Sequence, residues 1–197
     1  MTKPSRVKTL IVAFFAGAAA QTGTALAGAQ LVDKEGVANF GYDVVAYHTD
    51  LAAQKGSDAF TASHNGAVFY FASAENRDAF AADPERYAPA YDGHCAYALT
   101  RHKKLTVDPE AFSIVDPATG REVDAETYTA ETRGVLYLNY SPDVNDQFNA
   151  ELQDNITLAD FAWKDCLELK PAARPSKGFR DLLPGRRPKS CPAGEAQ

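Results

Sequence analysis

An Asn65-Gly66 pair between two β-prone runs restricts the fold of this chain more than any other feature. Such a pair favours a type I′ turn, because both central residues of that turn need positive φ. Ser73 follows the second run and is a suitable N-cap for a helix over residues 74–80, which Asp83-Pro84 would end. The sequence therefore predicts a β-hairpin that leads directly into a short helix.

Three more segments are rich in β-prone residues and predict strands: residues 42–48, 112–115 and 134–140. Ser141-Pro142 predicts the start of a helix, and Asn155 the start of a second one. The expected class is α+β, a small and mostly antiparallel sheet with packed helices, followed by an extended Pro-rich C-terminal tail.

Four segments within about residues 39–140 form a recognisable set: Gly41-Tyr-Asp-Val-Val-Ala-Tyr47, Phe69-Tyr-Phe-Ala-Ser73, Ala79-Phe-Ala-Ala-Asp-Pro-Glu-Arg-Tyr87 and Gly93-His-Cys-Ala-Tyr97. Together they resemble the YHS-domain family of small modules linked to heavy-metal handling. Metal-binding members carry cysteines just after the hairpin and one helical turn later, where this chain has Ala72 and Asn76. The chain is most similar to the secreted, cysteine-poor bacterial branch of the family.

The first 27 residues have the composition of a secretory signal peptide. Basic residues come first, an apolar run over residues 9–20 follows, and Ala25-Leu-Ala27 fits a cleavage site. The apolar run is too short to span a bilayer. We therefore expect a periplasmic, soluble protein made of a YHS-like domain over residues 28–169 and a tail over 170–197, with no membrane contact after cleavage.

Charge is distributed unevenly along the chain. Residues 28–169 contain 24 acidic and 10 basic residues, whereas residues 170–197 contain seven basic and two acidic ones. The acidic body argues against nucleic acid as a partner. The tail has five prolines and is predicted either to wrap the body as a strap, anchored by Phe179, Leu182 and Leu183, or to recruit a negatively charged periplasmic protein.

The chain has three cysteines, Cys95, Cys166 and Cys191. In an oxidising compartment two of the three are expected to pair. A Cys166–Cys191 disulfide is the favoured pairing, because it would close a short loop and pin the tail, and it would leave Cys95 free. The sequence also leaves open a pair of Cys95 with either of the others.

Metal binding is the first functional hypothesis, with Cys95, His94, His48 and His64 as candidate ligands. Thiolate and imidazole together suit copper or zinc. His94 and Cys95 are neighbours, so both reach one ion only from an irregular turn, which Gly93 permits. Each residue also has an ordinary explanation, since a cysteine among small and aromatic residues is commonly a buried hydrophobe.

Two other functions are weighed against metal binding. A thiol enzyme would use Cys95 with a nearby imidazole, although the sequence contains no Cys-x-x-Cys and no Gly-x-Ser-x-Gly. A non-catalytic interaction module would use an aromatic surface and the basic tail to hold a periplasmic partner. Of these two alternatives, the thiol enzyme is less expected than the interaction module.

Overall fold

A computed structural model describes residues 30–129, 132 and 134–165. These residues form short helices and two small antiparallel sheets, which confirms the α+β class. The predicted signal peptide, the basic tail and the Cys166–Cys191 pair lie outside the described residues. No helix within the described ranges is both long and apolar enough to cross a membrane.

The elements follow one another with short connections. The helices are α1 (Ala46–Thr49), α2 (Ala74–Ala82), α3 (Pro84–Tyr87), α4 (Ala96–Leu99), α5 (Pro142–Ala150) and α6 (Leu152–Asp165). The strands are β1 (Ser57–His64), β2 (Ala67–Phe71), β3 (Asp108–Asp116), β4 (Arg121–Glu122) and β5 (Val135–Asn139). Two 3-10 turns, Asn39–Gly41 and Ala90–Gly93, precede α1 and α4.

The hairpin and the helix after it form as the sequence predicts. Asn65 and Gly66 have φ of 48° and 79°, so the backbone of both turn residues is left-handed. β1 and β2 pair around this turn, with His64 opposite Ala67. The Ser73 side chain accepts a hydrogen bond of 3.1 Å from the Asn76 backbone N–H and thereby begins α2.

The second sheet has the order β4-β3-β5 and supports the last two helices. Phe112 pairs with Leu138 and Ile114 with Leu136, which confirms the two strands predicted here. Ser141 caps α5 through the Val144 backbone N–H, and Pro142 occupies the first turn of that helix.

The prediction of a strand over residues 42–48 is wrong. The Asp43 carboxylate accepts hydrogen bonds from the backbone N–H groups of Val45 and Ala46, at 2.8 and 3.3 Å, and these turn the chain into α1. The start predicted at Asn155 is also wrong, because α6 begins at Leu152. Asn155 instead donates to the Phe148 carbonyl at the end of α5.

Buried side chains form two clusters. The smaller one lies under the hairpin and α2 and includes Val44, Val45, Phe69, Phe71 and Phe80. The larger one lies between the second sheet and helices α4, α5 and α6, and it includes Leu99, Leu136, Leu138, Phe148 and Ala159. The turn that carries His94 and Cys95 belongs to the larger cluster, whereas His64 packs against the smaller one.

Candidate functional site

The turn before Cys95 has an uncommon backbone. Tyr91, Asp92 and Gly93 have φ of 57°, 51° and 77°, so three consecutive residues are left-handed. Two of the three carry a Cβ, which costs about 1–2 kcal/mol each. The Tyr91 hydroxyl donates to Asp160 of α6 at 2.9 Å, and the Asp92 carbonyl accepts from the Leu31 N–H at 2.8 Å. These contacts hold the turn, and therefore the residues after it, in place.

Cys95 is fully buried and its thiol has a protein partner. The Sγ atom donates to the Asn139 side-chain oxygen, 3.6 Å away. That oxygen also accepts from the Tyr97 N–H at 3.0 Å, and the Asn139 amide donates to Asn145 at 2.8 Å. Burial raises the pKa of the Cys95 thiol to about 11. The residue therefore joins α4 to β5 as a protonated thiol at neutral pH.

His94 is also buried, but it has different partners from its neighbour. Its Nδ1 lies 2.9 Å from the Tyr91 carbonyl oxygen, which can only accept, so this nitrogen carries the proton. Its ring lies 6.0 Å from that of Trp163 in α6. Burial lowers the pKa of His94 and favours the neutral form. His94 and Cys95 are neighbours in the sequence, but in the structure they contact different groups.

His48 lies in α1 and is buried against α3. Its ring meets that of Tyr87 edge-on at 5.5 Å. Burial lowers the pKa of His48 to about 4, the positive charge of Arg86 lowers it further, and the nearby Tyr87 carbonyl opposes the shift. The Nε2 atom is buried and has no hydrogen-bond partner.

His64, at the end of β1, lies beside an acidic side chain. Its Nε2 is 3.4 Å from Glu85 Oε1 of α3, which is an ion-pair distance, and it has no hydrogen-bond partner. On its other side the ring packs edge-on against Phe80, with 5.9 Å between centroids. The glutamate is 82% exposed, whereas the imidazole is 15% exposed. The hairpin therefore presents an imidazole nitrogen at a half-buried edge.

The carboxyl group of Asp92 interacts electrostatically with His64 and Glu85. Its Oδ2 atom is buried and has no hydrogen-bond partner. Burial raises the pKa of this carboxyl, the positive charges of Lys104 and His64 oppose the rise, and Glu85 adds to it. We call His64, Glu85 and Asp92 the hairpin-end cluster. Sequence reasoning found His64 alone among the three, because nothing local in the sequence shows that Glu85 and Asp92 lie near it.

Ala72 and Asn76, the positions at which the predicted resemblance would place metal-binding cysteines, both donate hydrogen bonds to Asp43. Asp43 Oδ2 accepts from the Ala72 backbone N–H at 2.8 Å and from the Asn76 amide at 2.7 Å. Together with the two N–H groups of α1, Asp43 accepts four hydrogen bonds. Alanine and asparagine at these two positions offer no thiolate, so the donors there do not suit a soft metal ion.

Within the ranges that the structure describes, no three His, Cys, Asp or Glu side chains are gathered closely enough to hold an ion as they stand. The four ligands predicted from the sequence are thus not brought to one point, since His48, His64 and the His94–Cys95 pair contact different elements. In the hairpin-end cluster, His64 and Asp92 each have a buried atom without a hydrogen-bond partner, and Glu85 places a carboxylate beside His64.

No model of a known protein family matches this chain, and no curated protein or solved structure matches it. The resemblance to YHS-domain proteins therefore stays a prediction that comes from the residues alone.

Proposed function

We propose that this chain is an exported YHS-like domain that binds a copper or zinc ion, and that the ion is held at the hairpin-end cluster. The observation that carries the proposal is that His64 Nε2 and Asp92 Oδ2 are buried without a hydrogen-bond partner, while the Glu85 carboxylate lies 3.4 Å from the imidazole nitrogen. Buried polar atoms normally have a partner, so atoms without one point to a bound ion or water.

The donor types of the cluster suit this chemistry. One imidazole nitrogen and two carboxylates bind zinc or copper(II), whose ligands are nitrogen and oxygen as well as sulfur. A complete site requires one side chain to turn, and Glu85 is free to do so because it is 82% exposed. Burial raises the pKa of Asp92, and the positive charge of Lys104, which opposes this rise, would also limit the affinity for a cation.

Cys95 and His94 are better suited to a structural role. Metal binding needs a thiolate, and burial raises the pKa of the Cys95 thiol to about 11. An ion at Cys95 would also displace the hydrogen bond to Asn139. The same protonated thiol argues against a thiol enzyme, since catalysis at neutral pH needs a lowered pKa.

Titration calorimetry with Zn²⁺ and Cu²⁺ tests the proposal on intact, tag-free protein. We expect H64A and D92N to weaken binding about tenfold or more, because each removes a ligand atom. We expect C95S to bind as the wild type does, and H102Q, which removes an imidazole from another loop, to serve as the control. Loss of binding in C95S alone would assign the ion to Cys95, and absence of binding in the wild type would end the metal hypothesis.

A second candidate, the non-catalytic interaction module, is favoured by a different observation. Leu158 and Phe161 on α6 are 50% and 60% exposed and lie three residues apart, so they adjoin on one helix face. Contiguous exposed apolar groups of this kind occur at protein contacts. An interaction through this face would be insensitive to H64A, which separates it from the metal hypothesis.

A further inference from the structure

Helix α6 is apolar on both its inner and its outer side. On the inner side Ala159 and Ala162 are fully buried in the larger core. On the outer side Leu158 and Phe161 are 50% and 60% exposed, the highest values among the large hydrophobic residues that the structure describes. The exposed Asp154 is one turn before Leu158 on the same face.

We propose that residues 176–187 of this chain lie across the outer face of α6, with the apolar side chains of that segment covering Leu158 and Phe161. The chain continues for 32 residues beyond the end of α6 at Asp165. Leu167 and Leu169 follow the end of α6 within four residues, and beyond them Phe179, Leu182 and Leu183 are the only large apolar residues of the sequence. The proposed contact is thus between the exposed apolar residues of the helix and those of the tail.

The connection is long enough for this contact. Phe161 is four residues before the end of α6 and Leu158 seven, which places them about 6 and 10 Å back along the helix axis. The 14 residues from Asp165 to Phe179 can span more than 40 Å when extended. Pro171 and Pro175 lie within this stretch and favour an extended conformation over a continued helix.

Charge favours the same arrangement. Residues 176–187 contain Lys177, Arg180, Arg186 and Arg187 and a single acid, Asp181. The outer face of α6 begins with the exposed Glu151 and Asp154, and the body as a whole is acidic. Basic residues that flank apolar ones would therefore meet carboxylates at the rim of an apolar contact, an attraction that weakens as salt rises.

A second copy of this chain is a weaker explanation of the exposed face. Two side chains that are about half exposed offer roughly 200 Å² at most. A stable interface between proteins buries about 1,200–2,000 Å² in total. A segment attached to the same chain needs far less area, because its effective concentration near α6 is high.

Hydrogen–deuterium exchange of the intact protein tests the proposal. We expect the amides of residues 176–187 to exchange about tenfold or more slowly than an unprotected chain. The double variant L158Q/F161Q should remove that protection, while the folded core keeps its own slow exchange because both positions are exposed. The control K164Q replaces an exposed lysine of the same helix and should leave the protection unchanged.

Three results would overturn the proposal. Unprotected amides over 176–187 in the wild type would mean that the tail does not cover α6. Protection that survives in L158Q/F161Q would place the tail elsewhere on the protein. Protection that disappears on dilution, together with a dimeric mass by light scattering, would assign the face to a second copy. None of these depends on metal binding, so the H64A titration is an independent test.

Discussion

At the scale of single residues, burial determines the chemical form of Cys95. The thiol has no exposed surface, and its side-chain partner is the amide oxygen of Asn139. Backbone hydrogen bonds and the positive charge of Arg101 favour the thiolate, but burial outweighs them. Desolvation disfavours the charged form, which is why the pKa of the thiol rises from 9.0 to about 11. Cys95 and His94 are adjacent in the sequence, but because the thiol is buried and protonated they do not form a reactive pair in the folded protein.

We predict that Cys95 in the native protein reacts very slowly with thiol reagents. A pKa of about 11 in place of 9.0 lowers the thiolate fraction at pH 7.5 about 100-fold, and burial blocks the reagent as well. The measurement is the labelling rate of the Cys95 peptide by mass spectrometry, in buffer and in urea. Labelling in buffer as fast as in urea would show an accessible, activated thiol instead.

At the scale of elements, one carboxylate joins α1 to the hairpin and to α2. Asp43 is fully buried, and its four hydrogen bonds reach α1, the end of β2 and the first turn of α2. Hydrogen bonds to a charged group are among the stronger ones in proteins. The orientation of the hairpin relative to α1 therefore depends on this side chain.

We predict that D43A lowers the free energy of unfolding by about 3 kcal/mol or more, because it leaves several buried donors without an acceptor. D43N should cost nearly as much, since its amide group points donors at the donors of Ala72 and Asn76. Urea unfolding followed by circular dichroism measures both variants.

D78N is the matched control, because Asp78 is exposed and pairs with its neighbour Arg77. We expect this change to stay within about 0.5 kcal/mol. Equal losses in D43N and D78N would mean that Asp43 does not hold these elements together.

At the scale of the whole molecule, buried neutral histidines make stability depend on pH. His48 lies where α1 meets α3, and burial lowers its pKa from 6.5 to about 4. The unfolded chain therefore binds more protons than the native protein between these values. The contribution of His48 to the free energy of unfolding is therefore fully present above pH 6.5 and is lost as the pH falls towards 4.

We predict that His48 alone accounts for about 3 kcal/mol of the stability lost between pH 7 and pH 4, because its shift is about 2.5 units. The measurement compares the free energy of unfolding of the wild type and H48N across this range. The pKa of His94 is lowered and that of Asp92 is raised, so both groups also make stability depend on pH. Because both are present in the two proteins, subtracting the curves removes their contributions. Parallel curves would contradict the prediction.

Local patterns predicted the elements whose signals are contained in a few neighbouring residues. Asn65-Gly66 predicted the left-handed turn, and Ser73 and Ser141 predicted helix starts, because each of these features acts within three or four residues. The strand predicted over residues 42–48 does not form, because part of what fixes the conformation of this segment lies far away in the chain. This β-prone segment is in a helical turn because Asp43 accepts from the N–H groups of Val45 and Ala46, together with groups about 30 residues away.

The sequence by itself determined the α+β class and the hairpin, and it singled out His64 but not Glu85 or Asp92 as a candidate metal ligand. Only the tertiary structure decided which donors are near one another. It placed Cys95 against Asn139, 44 positions along the chain, and His64 beside Glu85, 21 positions along the chain. Hydrogen bonds within a turn follow from neighbouring residues, whereas burial and the proximity of distant side chains depend on how the two cores pack.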